Sequence, residues 1–424
     1  MMNHHQNLTR RSALVGGAGL TAAALAACTP GGTPATGGSG GSDGGGGSGA
    51  LTFWHYYGGA ATAPIEALVK RYTEETGNDV DIRFIPFGDF NRTLLQAATG
   101  GGLPDIALIN AFDTALFAGS DVLTDLSDRV TEWGEQNAYF TGPWDTTQVG
   151  GSTYAIPHVA DTYSLWTNTG VLGEAGVEAP TTWDETEQVA VDTAADGRFG
   201  LAYCGIDGVE GATAWLLRFL AAGGDVTDFT GDAGTRAMGS FQRMLEDGGF
   251  SEGVLTWNED DVYTQFRTAA SAMMINSASY LTSLAEEAPD LEVDIVPMPA
   301  DETSVSWLSA ENLTITSTVS DPDSAWELIT WMQQPDVMNE YLPDRNKLPV
   351  RTDVAEDEQW QDPVKKVFVD QLEIAWAPDE SVSPSSAEIF TAVQAALQSV
   401  LSGSASVDDA LSTLQSTTDE ALQA

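Results

Sequence analysis

Between Leu51 and Asn110 the chain alternates short apolar runs with amphipathic stretches, and this alternation constrains its fold more than any other feature. Leu51-Thr-Phe-Trp-His55 reads as a strand, after which Ile65, Leu68, Val69 and Tyr72 recur at helical spacing until Gly77 ends the helix. Val80, Ile82 and Phe84 alternate as a second strand. Phe90 to Ala98 forms a second amphipathic stretch that runs into Gly100-Gly101-Gly102, and "LPDIALIN" supplies a third strand, apolar nearly throughout. Strand, helix, strand, helix, strand is the pattern of a parallel sheet covered by helices, which places the chain in the α/β class. Ligands of such sheets sit beyond the carboxyl ends of the strands. That draws His55 to Tyr57 (Tyr56 between them), Phe87 to Asp89, and Asn110 to Asp113 around one rim.

The residues before this body have a different composition. "TRRSALVGGAGLTAAALAACTP" carries two arginines and then roughly a dozen small or apolar residues, too few to span a bilayer as a helix, and reads as an export signal covering residues 1–27. Arg10-Arg11 resembles a twin-arginine signal, with Ala13 where that motif has a bulky apolar residue, so the twin-arginine and general export routes both stay open. Leu25-Ala26-Ala27-Cys28 resembles a bacterial lipobox, in which the cysteine is lipidated and becomes the new N-terminus. The segment 28–50 is nearly all Gly, Ser, Thr, Pro and Ala, which buries no core. Such a coil of about twenty residues reaches roughly 25 Å. The expectation is a globular body tethered by lipid to the outer face of the cell membrane.

About 375 residues follow the linker, more than one hydrophobic core organises, so two lobes are expected. With 17 basic and 62 acidic residues the net charge is −45, which rules out a nucleic-acid partner, disfavours anionic ligands, and otherwise suits solubility and tolerance of salt. Once Cys28 is lipidated only Cys204 remains, so no intramolecular disulfide forms, and Cys204 reads as a small buried residue. No two His or Cys residues stand at metal-ligand spacing, and neither a metal nor a cofactor is expected.

Further along, Thr182 and Glu185 have the spacing of a capping box, so a helix starts at Trp183. "AMMINSASYL" and "LEVDIVPMP" read as strands, and "VSWLSAENLTI" as a strand pair or a strand and turn. Two amphipathic helices, Ala387 to Leu401 and Val407 to Leu422, close the chain, the second opened by Ser406-x-x-Asp409. There is no internal repeat of fixed period.

Four stretches in order then resemble the family 1 extracellular solute-binding proteins of ATP-driven importers, the group that includes maltose-binding protein. They are "GGLPDIALIN" with "ALFAGSDVLTDL"; "YAIPHVADTYSLWTNTGVLGEAGVEAPTTWDE"; "AASAMMINSASY", where many relatives have Gly-Pro-Trp after the strand; and "SDPDSAWELITWMQQPDVMNEYL" with "NKLPVRTDV". The resemblance implies a two-lobed periplasmic-binding-protein-like fold with discontinuous lobes and hinge crossings near Ile156 to His158, Pro297 to Pro299 and Leu342 to Asn346. Lobe 1 would comprise 51–157 and 299–344, and lobe 2 would comprise 158–298 and 345–424. It further implies a monomer that closes over a ligand and delivers it to the permease subunits of an ABC importer.

A sugar offers apolar C–H faces and hydroxyls that donate and accept, so its site needs aromatic plates beside carboxylates, amides and guanidinium groups. Among the 12 tryptophans, Trp54, Trp183, Trp326 and Trp331 stand at core positions, whereas Trp257 just before a helix, Trp307 at the start of the segment near the second crossing and Trp376 before "APDES" stand as readily at a cleft. Asp113 stands within one position of a carboxylate that maltose-type relatives turn on sugar hydroxyls, and Glu311 occupies a position where relatives commonly have Gly. Asn276 and Tyr280 replace the Gly-Pro-Trp region. The expected ligand residues are His55, Tyr56, Asp89, Asn110, Asp113, Asp161, Trp257, Asn276, Tyr280, Trp307, Glu311 and Arg345, with a mono- or oligosaccharide as the ligand. Two rivals stay open. A surface glycoside hydrolase also uses aromatics and paired carboxylates, although no Gly-x-Ser-x-Gly motif is present. A glycerol-phosphate-type solute would need arginine clusters, and the rim offers Arg92 and Arg345.

Overall fold

The computed structural model describes residues 49–195 and 197–423. The signal segment, Cys28 and the linker up to residue 48 lie outside the described residues. Among the described residues eleven strands are formed: β1 (Leu51–His55), β2 (Val80–Phe84), β3 (Ile106–Asn110), β4 (Gln148–Val149), β5 (Ser152–Thr153), β6 (Ile156–Asn168), β7 (Phe199–Ala202), β8 (Ser271–Ser277), β9 (Val293–Val296), β10 (Ser306–Ile315) and β11 (Ala375–Trp376). Nine make one mixed sheet in the order β2-β1-β3-β10-β6-β8-β7, with β11 beside β10 and β9 beside β6. β4 and β5 form a separate hairpin.

The expected parallel unit is present: β1 pairs with β2 and β3 in parallel, from Leu51 opposite Val80 to His55 opposite Phe84. Its crossover helices are Thr62–Thr76, which buries Ile65, Leu68, Val69 and Tyr72, and Phe87–Gly100. Gly77 ends the first at φ +78°, a conformation that a side chain strains.

Two long strands join this unit to the rest of the sheet. β6 is thirteen residues long and buried throughout. It pairs antiparallel with β10 over Ile156 to Thr162, then with β8 over Tyr163 to Thr167 and with β9 over Leu165 to Asn168. β10 pairs antiparallel with β3 over Glu311 to Ile315 and with β6 over Leu308 to Leu313. "VSWLSAENLTI" is thus one strand and not a pair or a strand and turn. It holds no Gly or Pro to turn on, and the Asn312 side chain bonds Thr114 Oγ1 at 3.1 Å and Thr146 Oγ1 at 3.0 Å instead of its own backbone. A register shift between Glu311 and Asn312 absorbs the irregularity. The chain therefore folds as two α/β lobes, one about β1–β3 and one about β7–β9, that share β6 and β10.

The second lobe is closed by helices whose starts were legible. Trp183–Thr193 opens with the Thr182/Glu185 capping box, and Val407–Ala421 opens on Ser406 Oγ, which accepts from Asp409 N at 3.2 Å. Gly200 on β7 lets the first of these pack flat, since a Cβ there would lie 1.8 Å from the Ala190 carbonyl oxygen. Trp166, Trp183 and Trp215 are fully buried. None of the described helices is long and apolar enough to cross a membrane.

Candidate functional site

The carboxyl ends of β1 and β3 point at the middle of β6 and β10, and the polar residues gather there. Asp161 on β6 pairs with Ser309 on β10, and Glu311 lies two residues beyond Ser309 on the same face. Lys347 comes in from the opposite edge of β6, held by the antiparallel bridge between Leu348 and Ala160.

Asp161 is fully buried and fully partnered. Its Oδ1 accepts from Thr162 N at 3.0 Å and Ala278 N at 3.1 Å, and its Oδ2 accepts from Ser279 Oγ at 2.6 Å and Lys347 Nζ at 3.4 Å. Burial alone would lower the Lys347 pKa, but the facing carboxylates of Asp161 and then Glu311 reverse the effect and hold it raised.

Glu311 is different. It is 9% exposed, and its Oε2 has no hydrogen-bond partner. Burial raises its pKa, with Lys347 and Arg345 opposing. Beside it the Arg345 guanidinium lies 3.7 Å from the centroid of the Tyr57 ring, and Arg345 Nε is also unpartnered. The hydroxyls of Tyr57 and Tyr341 are close enough to feel that guanidinium, yet neither makes an aligned hydrogen bond to it. Tyr56 Oη is buried without a partner as well, facing Glu311 and Asp113. Burial lifts Asp113 to about 6, and it lowers His55 to about 4 with help from Arg345, so His55 is neutral at pH 7. The His55 Nδ1 accepts from Tyr57 N at 3.2 Å, which fixes the turn that carries both tyrosines.

On the β8 side Tyr163 donates to Glu259, whose pKa burial raises to about 7. Glu259 N donates to Glu210 Oε1 at 3.2 Å, and that oxygen also accepts from Cys204 Sγ at 3.4 Å. Cys204 is buried as expected, but against a carboxylate. Tyr280 stacks on Tyr263 with centroids 5.0 Å apart and donates to Asp260 Oδ1 at 2.8 Å.

Of the residues expected to bind ligand, the structure brings together His55, Tyr56, Asp113, Asp161, Glu311 and Arg345, with Tyr280 toward the β8 end. The others have different surroundings. Asp89 is exposed and paired with Arg92 at 2.5 Å. Asn110 Oδ1 caps the next turn by accepting from Phe112 N at 2.9 Å. Asn276 is buried and donates to the Glu259 carbonyl at 3.3 Å. Trp257 packs against Phe199, and Trp307 is buried among Phe112, Trp376 and Phe390. Sequence reasoning missed Lys347, Glu259, Tyr163, Glu210 and Ser279. Glu259 follows the N-cap Asn258 and is indistinguishable in sequence from an ordinary first-turn acid. Lys347 could have been found: it is a lone lysine in the "NKLPV" segment expected at a crossing. Among the described residues no three His, Cys, Asp or Glu side chains come together to hold a metal. A separate cavity of about 450 Å³ opens beside β11 between Asp145, Thr146, Trp376 and Glu380, but its lining leaves no buried polar atom unpartnered.

Comparison with known proteins places this geometry. Residues 58–339 match the bacterial extracellular solute-binding protein family. An Escherichia coli K12 protein that carries the name of an ABC transporter periplasmic-binding protein, YcjN, is 21% identical over 315 residues, covering 71% of this chain and 72% of its own. Among solved structures, the sugar-binding protein MalE of Xanthomonas citri superposes with a TM-score of 0.79 at 23% identity, covering 88% of this chain and 97% of its own. The GacH receptor of Streptomyces glaucescens, solved unliganded and with acarbose, gives 0.77 at 24% identity over 89% and 99%. UgpB of Mycobacterium tuberculosis, solved with glycerophosphocholine, gives 0.76 at 20% over 89% and 99%. The match to the family model spans most of the folded body and includes β2, β3, β6 and β10, and the chain belongs to the bacterial extracellular solute-binding protein family.

Proposed function

We propose that this chain is the capture component of an ATP-driven importer and that its solute is a neutral sugar or oligosaccharide. The observation that carries the reading is the set of buried polar atoms left without partners around one point: Tyr56 Oη, Glu311 Oε2 and Arg345 Nε. A buried polar group without a partner costs on the order of 1–3 kcal/mol, so three together are a standing cost that a ligand removes. The three include a donor, an acceptor and a hydroxyl, and the half-buried Tyr56 adds an apolar ring. Sugar hydroxyls both donate and accept, and their ring C–H faces cover aromatics. The names of the X. citri and S. glaucescens neighbours support the same class, and that of YcjN supports the importer.

The lobes proposed are 51–157 with 299–344 and 158–298 with 345–424, closing about the shared strands. Tyr56 stands on one lobe and Lys347 and Tyr280 on the other, so a ligand touching both favours the closed state. Lipidated Cys28 and the glycine-rich segment tether a monomer to the outer face of the membrane. No reaction is assigned. The carboxylates nearest the unpartnered atoms face cations or tyrosines, and hydrolysis would be disclosed by new reducing ends.

The M. tuberculosis neighbour keeps a phosphodiester solute in view. Against it, Glu311, Asp113 and Asp161 surround the two cations Arg345 and Lys347, and an anion entering there meets like charge. A thermal-shift screen of the purified chain against saccharides and glycerophosphocholine tests the reading. A sugar is expected to raise the melting point, since a ligand bound only by the native state stabilises it. A rise with glycerophosphocholine and with none of the sugars overturns it.

A further inference from the structure

We infer that the ligand site continues outward from Tyr56 onto the exposed ring of Phe87, where a further pyranose ring of an oligosaccharide stacks, so that the protein selects for chain length. This rests on the sugar reading above.

An exposed apolar side chain is informative where it adjoins a polar binding site, since exposed apolar surface rimmed by polar groups marks ligand-binding grooves. Phe87 is 62% exposed and Phe84 46%, and no other described large apolar side chain is as open as either. Neither is placed by chance. Phe84 ends β2, on the rim where His55 ends β1, and its ring centroid is 6.0 Å from that of His55. Its ring also lies against Gly58, where a Cβ would come within 3.2 Å, so a side chain at 58 would push the ring off the rim. Phe87 begins the Phe87–Gly100 helix and meets the Tyr56 ring edge-on, with centroids 5.0 Å apart and planes at 66°. The buried Phe90 props Tyr56 from behind at 5.3 Å and 80°. Tyr56 therefore has one end, its unpartnered hydroxyl, in the polar cluster and the edge of its ring against the exposed Phe87 ring. The Tyr56–Phe87 contact thus leads from the hydrogen-bonding interior to one open apolar ring.

Such a graded surface suits a linear glycan. The inner ring satisfies Tyr56, Glu311 and Arg345, and the next lays its C–H face on Phe87, with the exposed Asp89–Arg92 pair flanking it to meet outer hydroxyls. A monosaccharide would fill only the polar end. A docking surface for another protein would need a wider apolar patch than one exposed phenylalanine ring.

The test compares glucose with maltotetraose, xylose with xylotetraose and glucose with cellotetraose, by calorimetric titration of the full chain carrying Cys28→Ala. The tetrasaccharide of the series that binds is expected to bind at least about tenfold more tightly than its monomer. Phe87→Ala should remove most of that advantage, leave the monomer affinity within about twofold, and leave the melting point unchanged because the ring is exposed. Phe87→Trp, which keeps a stacking face, should retain the advantage. Equal affinity for tetrasaccharide and monomer overturns the inference, as does a ratio that Phe87→Ala does not change, and in both cases sugar binding itself stands. Absence of any saccharide binding, with no shift in melting point, overturns the sugar reading and the Phe87 subsite with it.

Discussion

Asp161 and Glu311 are buried carboxylates on the same face of paired strands, a few residues apart, yet their surroundings are opposite. Asp161 accepts from two backbone amides, a serine hydroxyl and a lysine, and every lone-pair direction is used within the protein. Glu311 is nearly as buried and has an oxygen with no partner. The first arrangement locks β6 to the turn after β8 and to the Lys347 segment. The second leaves an acceptor open toward Tyr56 and Arg345. A buried charge that is satisfied holds a structure together, and one that is not marks where something else belongs.

The largest expected effect removes the satisfied member. Asp161→Ala leaves Lys347 buried without its main counter-charge and frees the amides of Thr162 and Ala278, and breaking a buried pair in this way costs roughly 3–5 kcal/mol. Urea denaturation is expected to show that loss even without ligand. A variant as stable as the parent would mean that Asp161 resembles Glu311, and the contrast between them would fail.

Much of the fold was legible because its signals are local. The β1–β3 unit, the capping box at Thr182 and the Ser406 helix start all follow from spacing within a few residues. What was not legible depended on partners distant in sequence. Asn312 reads as a turn residue until Thr114 and Thr146 are seen beside it. Trp307 was expected at the cleft, and its position near a crossing gave no hint that Phe112, Trp376 and Phe390 enclose it. Asp161 and Glu311 could both be proposed from their places in the motif, but their opposite roles depend on Lys347 and Ser279, about 190 and 120 residues from Asp161 in sequence.

Glu259 sharpens the contrast by a route that pH can read. Its carboxyl, at about 7 in the fold against an ordinary 4.5, binds a proton more tightly native than unfolded. A raised carboxyl of this kind contributes most below pH 4.5, and its contribution is lost as pH rises from there to about 7. Melting points followed from pH 5 to 8 should therefore fall, by an amount equivalent to on the order of 1–3 kcal/mol. Glu259→Gln, permanently uncharged, should flatten that slope and be the more stable form at pH 8. Equal slopes in parent and variant would remove Glu259 from the group of strained carboxylates and leave Glu311 and Asp113 in it.

The smallest effect on stability is expected at Glu311, and there the comparison is most exposed. Glu311→Gln keeps the shape and removes a charge whose one oxygen is unpartnered, while Lys347 retains Asp161 as its nearer counter-ion. Stability should stay within about 1 kcal/mol of the parent, because little that was bonded is lost. Sugar affinity should nonetheless fall, since a hydrogen bond from a ligand hydroxyl to a carboxylate exceeds one to an amide, by a factor of roughly ten. The two readouts separate a ligand-facing group from a structural one. An affinity unchanged in calorimetric titration, together with a melting point several degrees lower, would give Glu311 the role assigned to Asp161 and shift the centre of the site toward Asp113 and Tyr56.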